Sequence, residues 1–175
     1  MCNFLSGITK QNGDMIINPF IDSHDELEQI YNLKDGERQY YVKWELTPSN
    51  TIFDIKDYKF RIDEDREPDW LDIDFKERIE KQAREYLSRL YKKDLKDIIL
   101  LNEVAILENC TVKWTKFSLI KAMKDSQVNK MWGNSQVNEM WENSQVNKMW
   151  ENSQVNEMWG NSQANVNNSK NKLPK

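Results

Sequence analysis

The chain has few of the residues on which small enzymes and metal proteins depend. Its 175 residues include two cysteines, Cys2 and Cys110, and one histidine, His24. Two cysteines are too few for a disulfide framework, and a single histidine outside any cysteine cluster gives no zinc-binding pattern. Walker A, GxGxxG and GxSxG motifs are also missing. The sequence therefore predicts no catalytic centre, no metal site and no cofactor.

Long apolar runs are missing as well. No stretch of about 18 apolar residues is present, so no membrane span is expected. The opening Met-Cys-Asn-Phe-Leu-Ser lacks the basic and long apolar regions of a secretory signal. Charged residues make up 31% of the chain. These features predict a cytoplasmic protein with reduced thiols.

Charge is unevenly distributed along the chain. Residues 1–103 hold 16 Lys/Arg and 23 Asp/Glu, whereas residues 104–168 hold 6 of each. A protein that binds duplex DNA would need a basic stripe, and a DNA mimic would need a strongly acidic one. The neutral C-terminal part therefore argues against both functions.

A short repeat dominates the C-terminal part. Residues 126–161 contain four near-perfect copies of Ser-Gln-Val-Asn-(Lys/Glu)-Met-Trp-(Gly/Glu)-Asn. A spacing of eight residues extends the pattern backwards through Val112 to Val104, and Ala164 occupies the slot after the last valine. A fixed short period indicates stacked units that bury apolar side chains against their neighbours. We expect a small α+β domain at 1–101, the repeat array at 102–168 and a disordered basic tail at 169–175.

The period favours strands over helices. Nine residues match no coiled-coil repeat, and the two Asn of each copy, with Gly in half of them, lower helix propensity. We predict a β-solenoid in which Val and Met point inward across a bend, with buried serines and ladders of stacked Asn at the corners. Two copies per coil, 18 residues, would fill a core better than nine. The charged position alternates Lys130, Glu139, Lys148 and Glu157, so this choice stacks like charges, at a cost of a few tenths of a kcal/mol.

One tryptophan follows the Met of every copy. If Met points inward, its neighbour on the strand points outward, which predicts tryptophan columns on both sides of the solenoid. These columns are the candidate binding residues, because exposed aromatic patches mark interfaces. The alternative is that the rings only stack on each other or fill the core. The residues are Trp132, Trp141, Trp150 and Trp159.

The N-terminal part reads as β-β-α-β-β-α. Strands are expected at 3–10 and 15–18 around the hairpin signal Asn12-Gly13, then at 40–46 and 58–62. Ser23 begins a capping pattern for a short helix that contains His24, which we expect at the surface. The longest helix is expected at 75–91, with Asp72 or Asp74 as its N-cap.

Cys2 offers one enzymatic alternative. After removal of Met1, it could act as a nucleophile with its own α-amine as base. The opening is similar to the Met-Cys-Gly-Ile start of class II glutamine amidotransferases, but the glycine is missing and about 100 residues cannot hold that family's four-layer fold.

Several segments together resemble a group of small proteins found mainly in bacteriophage and prophage genomes. They are Met-Cys-Asn-Phe-Leu-Ser-Gly-Ile, the Asn-Gly-Asp hairpin, Asp-Ser-His-Asp-Glu-Leu and the Ser-Gln-Val-x-x-Met-Trp-x-Asn copies. The group has such a head followed by a varying number of nonapeptides. The resemblance implies a phage origin, a location in the host cytoplasm and a copy number that changes by DNA slippage. It implies no catalytic residues.

Four functions follow as hypotheses. The first is a non-enzymatic interaction protein that binds a host or phage protein, for example in counter-defence. The second is a homo-oligomer that assembles through solenoid ends or tryptophan columns. The third is a nucleotide or small-ligand binder, and the fourth is an N-terminal cysteine hydrolase.

Overall fold

The computed structural model describes residues 4–34 and 39–166. The chain forms two compact units, Met1–Arg89 and Leu90–Lys175. The first unit is called the head and the second the solenoid below. Among the described residues, no helix is both long and apolar enough to cross a bilayer.

The head has the predicted order β-β-α-β-β-α. A four-stranded antiparallel sheet runs in the order β2-β1-β3-β4, and a short 3₁₀ turn at Ile55–Asp57 precedes β4. The elements are β1 (Leu5–Lys10), β2 (Met15–Ile17), α1 (His24–Ile30), β3 (Tyr41–Thr47), β4 (Lys59–Ile62) and α2 (Ile73–Leu90).

Local signals in the sequence explain these boundaries. Ser23 caps α1, since its hydroxyl accepts a hydrogen bond from the Glu26 amide at 3.4 Å. Asp72 caps α2 in the same way, through the Phe75 amide at 2.7 Å. Each cap satisfies an amide that the first helical turn leaves without an internal partner. His24 in the first turn of α1 is buried, contrary to the surface position expected for it.

The head sheet closes around one large side chain. Trp44 on β3 is fully buried, and its indole nitrogen donates a hydrogen bond to the Thr9 hydroxyl at 3.0 Å. Its ring lies so close to β1 that a Cβ atom added to Gly7 would come within 2.1 Å of it. The glycine is therefore required for close approach of backbone and ring.

Parallel strands form two sheets of the solenoid, with about five coils. They begin at Tyr91 rather than near residue 102, because one further coil, residues 91–101, precedes the predicted start. One sheet contains β5 (Tyr91–Lys93), β7 (Val104–Glu108), β9 (Leu119–Lys124), β12 (Gln136–Trp141) and β14 (Gln154–Met158). The other contains β6 (Ile98–Leu101), β8 (Thr111–Lys116), β10 (Gln127–Val128), β11 (Met131–Trp132), β13 (Gln145–Met149) and β15 (Gln163–Val166).

The coil lengthens along the chain until it equals two nonapeptides. The same contact, from a backbone amide to a serine hydroxyl one coil later, measures this length. It spans 15 residues from Glu103 to Ser118, then 16 from Cys110 to Ser126. It spans 17 residues from Ser118 to Ser135, and 18 from Ser126 to Ser144. The prediction of 18 residues per coil is confirmed for the repeat copies.

The inner face of the solenoid follows the predicted pattern. Val and Met of each complete coil are buried, together with the small serines. Stacked Asn side chains form the predicted ladders, each bond joining residues 18 apart. The four bonds are Asn147–Asn129 at 2.9 Å, Asn156–Asn138 at 3.1 Å, Asn152–Asn134 at 3.2 Å and Asn161–Asn143 at 3.3 Å.

Two methionines at the same repeat position allow a matched test of this core. Met140 is 0% exposed, whereas Met158 in the last coil is 53% exposed. We expect Met140→Ala to lower the free energy of unfolding by about 2–5 kcal/mol, because it leaves a cavity between coils. Met158→Ala should change it by less than about 0.5 kcal/mol. Urea unfolding followed by far-UV circular dichroism measures both, and equal losses would contradict the assigned register.

Candidate functional site

A bend within each copy places Met inside and Trp outside. Val137 and Met140 are both buried although they lie three residues apart, which a regular strand would not allow. The bend falls at the Asn and the charged residue between them. In one copy it interrupts the strand altogether, between Val128 and Met131, and in another it shifts the register between Val146 and Met149. The residue after Met then faces outward.

The predicted tryptophans form two columns on opposite sheets. In one column, the ring of Trp132 stacks on Trp114, with centroids 5.7 Å apart and 14° between planes. Trp150 continues this column at 5.9 Å, tilted by 53°. In the other, Trp141 and Trp159 stack at 5.7 Å and 20°. The structure therefore separates the four predicted residues into two pairs.

The rings stack on one another outside the core. Four of the rings are half-buried: Trp114, Trp132, Trp141 and Trp150. Trp159, in the last described coil, is 51% exposed. Trp114 was missed by the repeat pattern because it lies two residues, not four, after its valine. Trp132 pairs in register with Lys116, so it reaches Trp114 diagonally across the sheet. Spacing within one strand gave no signal for that contact.

The charged position of the repeat has one sign beside each tryptophan column, whereas Lys124, which precedes the first copy, lies in register with Trp141. Each coil holds two copies, one on each sheet. The Lys and Glu that alternate along the chain therefore lie on different sheets, Lys on one and Glu on the other. Lys148 precedes Trp150 by two residues, the spacing at which Glu139 accepts a hydrogen bond from the indole of Trp141 at 2.9 Å. The basic face is defined by Trp114, Trp132, Trp150, Lys130 and Lys148. The acidic face is defined by Trp141, Trp159, Glu139 and Glu157.

Like charges meet directly on the acidic face. Glu139 pairs in register with Glu157 of the next coil. Partial burial raises the pKa of Glu139, and the negative charge of Glu157 adds to this rise, while the hydrogen bond from Trp141 opposes it. A raised pKa means that the surroundings of Glu139 favour its protonated form.

A second group of chemically active side chains lies in the head. Within residues 4–34 and 39–166, His24, Glu45 and Asp63 offer ligand atoms that lie within 4.8 Å of one another. They come from α1, β3 and the end of β4, so no sequence spacing predicts the group. His24 Nδ1 lies 3.2 Å from Asp63 Oδ2, and Arg61 contacts both carboxylates at 2.9 Å. The sequence predicted no metal site, and this group is the one place in the described head where such a site could form.

Two predictions fall on residues outside the described ranges. Cys2 and the basic tail at 169–175 both lie there, so the cysteine nucleophile and the disorder of the tail stay predictions. Comparison of the chain with protein-family models, curated proteins and solved structures finds no match.

The charge ladder predicts a pH-dependent effect of one substitution. A raised pKa means that the native state holds its proton more tightly, so ionised Glu139 destabilises the fold once the pH exceeds that pKa. Glu139→Gln should therefore raise the free energy of unfolding by a few tenths of a kcal/mol near neutral pH. The gain should disappear as the pH falls below the usual glutamate range.

Urea unfolding of the wild type and of Glu139→Gln, at neutral pH and at a pH below the usual glutamate range, measures this change in the free energy of unfolding. Glu142→Gln is the matched control, because Glu142 is an exposed corner residue on the same coil. A gain of equal size in the control, or a gain that grows as the pH falls, would contradict the assignment.

Proposed function

We propose that the chain is a non-enzymatic interaction protein of phage or prophage origin that binds a host or phage protein through its solenoid. The basic face is the contact surface in this proposal. The observation that carries it is the tryptophan column of Trp114, Trp132 and Trp150. The positive charges of Lys130 and Lys148 lie beside this column. The partner surface would then be acidic, with apolar groups that pack against the indole rings.

The position of the rings supports this function. The Val and Met core is complete without them, so the indoles are not needed to fill the interior. A stacked column of half-buried tryptophans is rigid and has little side-chain entropy to lose on binding. Tryptophan is also enriched among the residues that dominate binding energy at interfaces.

The charges support an acidic partner. Lys130 and Lys148 are exposed on the basic face, and the matching positions on the acidic face carry Glu139 and Glu157. Complementary charge at the rim of an interface speeds association and excludes partners of the wrong sign. The two faces would therefore not bind the same protein surface.

The two tryptophan columns provide matched variants for a binding test. We expect the full-length chain to capture a partner from host lysate, identified by mass spectrometry. The double variant Trp132→Gln/Trp150→Gln should weaken that complex by about 30-fold or more, since loss of a hot-spot tryptophan costs about 2 kcal/mol. Trp141→Gln/Trp159→Gln on the acidic face should leave it intact.

Affinity for the purified partner, measured at low and high salt, completes the test. Lys130→Glu/Lys148→Glu should slow association and reduce its dependence on salt. Circular dichroism confirms that each variant is folded. Equal binding by all variants would move the function to the head, and no partner at any concentration would count against an interaction protein.

A second candidate function is self-assembly at the C-terminal end of the solenoid. The last described coil exposes Met158 and Trp159, whose counterparts in earlier coils are covered. Its strand β14 pairs with β12 on one side, and its other edge is not paired within the described residues. Open edges and apolar ends of this kind favour pairing with another strand.

Assembly through this end predicts a concentration-dependent oligomer. Sedimentation velocity should show species larger than a monomer at high concentration, and Met158→Lys should dissociate them because it places a charge at the contact. Gln145→Lys, an exposed change on a complete coil, is the control and should have no effect. A strictly monomeric chain at high concentration would rule this function out.

A further inference from the structure

We propose that the head binds a divalent transition-metal cation between His24, Asp63 and Glu45. The site is separate from the tryptophan columns and does not rest on the function proposed for the solenoid. Its ligands would be the Nδ1 atom of His24 and one carboxylate oxygen each from Asp63 and Glu45.

Hydrogen bonding fixes the orientation and tautomer of the histidine. The Nε2 atom of His24 lies 3.0 Å from the backbone carbonyl of Trp44. A carbonyl oxygen can only accept, so the proton of a neutral ring must be on Nε2. The lone pair is then on Nδ1, directed towards Asp63. A ring nitrogen that donates to a backbone carbonyl while the other faces a carboxylate is the arrangement found around metal-bound histidines.

The distance between the two facing atoms suits a shared cation. The Nδ1 lone pair of a neutral ring and a carboxylate oxygen of Asp63 can both coordinate the same cation. Nitrogen and oxygen ligands lie about 2.0–2.2 Å from zinc. Two such ligands around one tetrahedral or octahedral ion are then about 3.0–3.5 Å apart. The observed separation of Nδ1 and Oδ2 is 3.2 Å, and the ligand atom of Glu45 lies within 4.8 Å of both.

Burial and donor type restrict the ion that this site would take. His24 is 5% and Glu45 is 7% exposed, so water has little access to two of the three ligands. One imidazole with two carboxylates suits Zn²⁺ and Mn²⁺, because imidazole favours the transition metals and carboxylate accepts both. Mg²⁺ prefers a site made of oxygen alone.

Arg61 acts as an internal competitor for the same carboxylates. Its guanidinium contacts Asp63 through Oδ1, while His24 lies against Oδ2, so the arginine does not stand between those two ligands. It contacts Glu45 through Oε2. The Arg61 side chain is 65% exposed, so it can turn into solvent when a dication neutralises the carboxylates. Metal binding would therefore replace the single positive charge of Arg61 beside the carboxylates with the two positive charges of the cation.

Metal titration of the untagged full-length chain tests the proposal. After treatment with a chelator, the protein is titrated with Mn²⁺, followed by electron paramagnetic resonance, and Zn²⁺ is added as competitor. We expect one Mn²⁺ per chain, displaced by one Zn²⁺. His24→Ala and Asp63→Asn should each weaken binding by about 100-fold, since even outer-shell changes cost 10–100-fold.

Arg61→Gln provides a test in which the expected result is a gain, not a loss, of metal affinity. Removal of the competing guanidinium should tighten Mn²⁺ binding several-fold, which damage to the fold would not do. Asp65→Asn is the control, because Asp65 is an exposed acidic residue two positions beyond Asp63. It should leave the affinity unchanged.

Two results would overturn the site. One is absence of Mn²⁺ and Zn²⁺ binding at millimolar metal. The other is binding that the His24, Asp63 and Arg61 variants do not alter. Either result would leave the group as a cluster of ion pairs and hydrogen bonds within the head.

Discussion

The solenoid depends on residues that hold a positive φ at its two corners. One such residue follows each strand from β5 to β14, with the interrupted β10 and β11 counted as one, so each complete coil has two. The φ values lie between 47° and 72°, a region that costs non-glycine residues about 1–2 kcal/mol, less for Asn and Asp. One series of corners is Asp94, Asn109, Asp125, Glu142 and Gly160, and the other is Asn102, Phe117, Gly133 and Glu151.

These corners explain the variable eighth position of the repeat. Gly133 and Gly160 adopt this conformation without strain, whereas Glu142 and Glu151 require compensation from the surrounding coils. The Glu151 carboxylate accepts a hydrogen bond from the Gly133 amide one coil earlier, at 2.8 Å. A Cβ atom on Gly160 would come within 3.1 Å of the backbone of Glu142. Adjacent coils therefore determine which corner can carry a side chain.

Much of the fold could be predicted because the nonapeptide period and the local sequence signals indicate the same elements. The repeat gave the strands, the inward Val and Met, the Asn ladders and the coil of 18 residues. Ser23 and Asp72 marked the helix starts in the head. The start of the solenoid could not be predicted, because coils of 15 and 16 residues have no common period with the nonapeptide. The cluster around His24 also gave no signal, since its members meet only through the pairing of β3 with β4 and the packing of α1.

Successive copies lie on alternate sheets, so adding an odd number of copies has a different effect from adding an even number. Adding two nonapeptides extends both tryptophan columns and keeps the charged position of the repeat at one sign on each sheet. Adding or removing one copy moves every later copy to the opposite sheet. Lys148 would then occupy the position of a glutamate, and the basic face would receive a negative charge. A change that preserves the period, and so preserves the core, would still mix the two surfaces. The core restricts insertions to multiples of nine residues, whereas the separation of the two faces restricts them to multiples of 18.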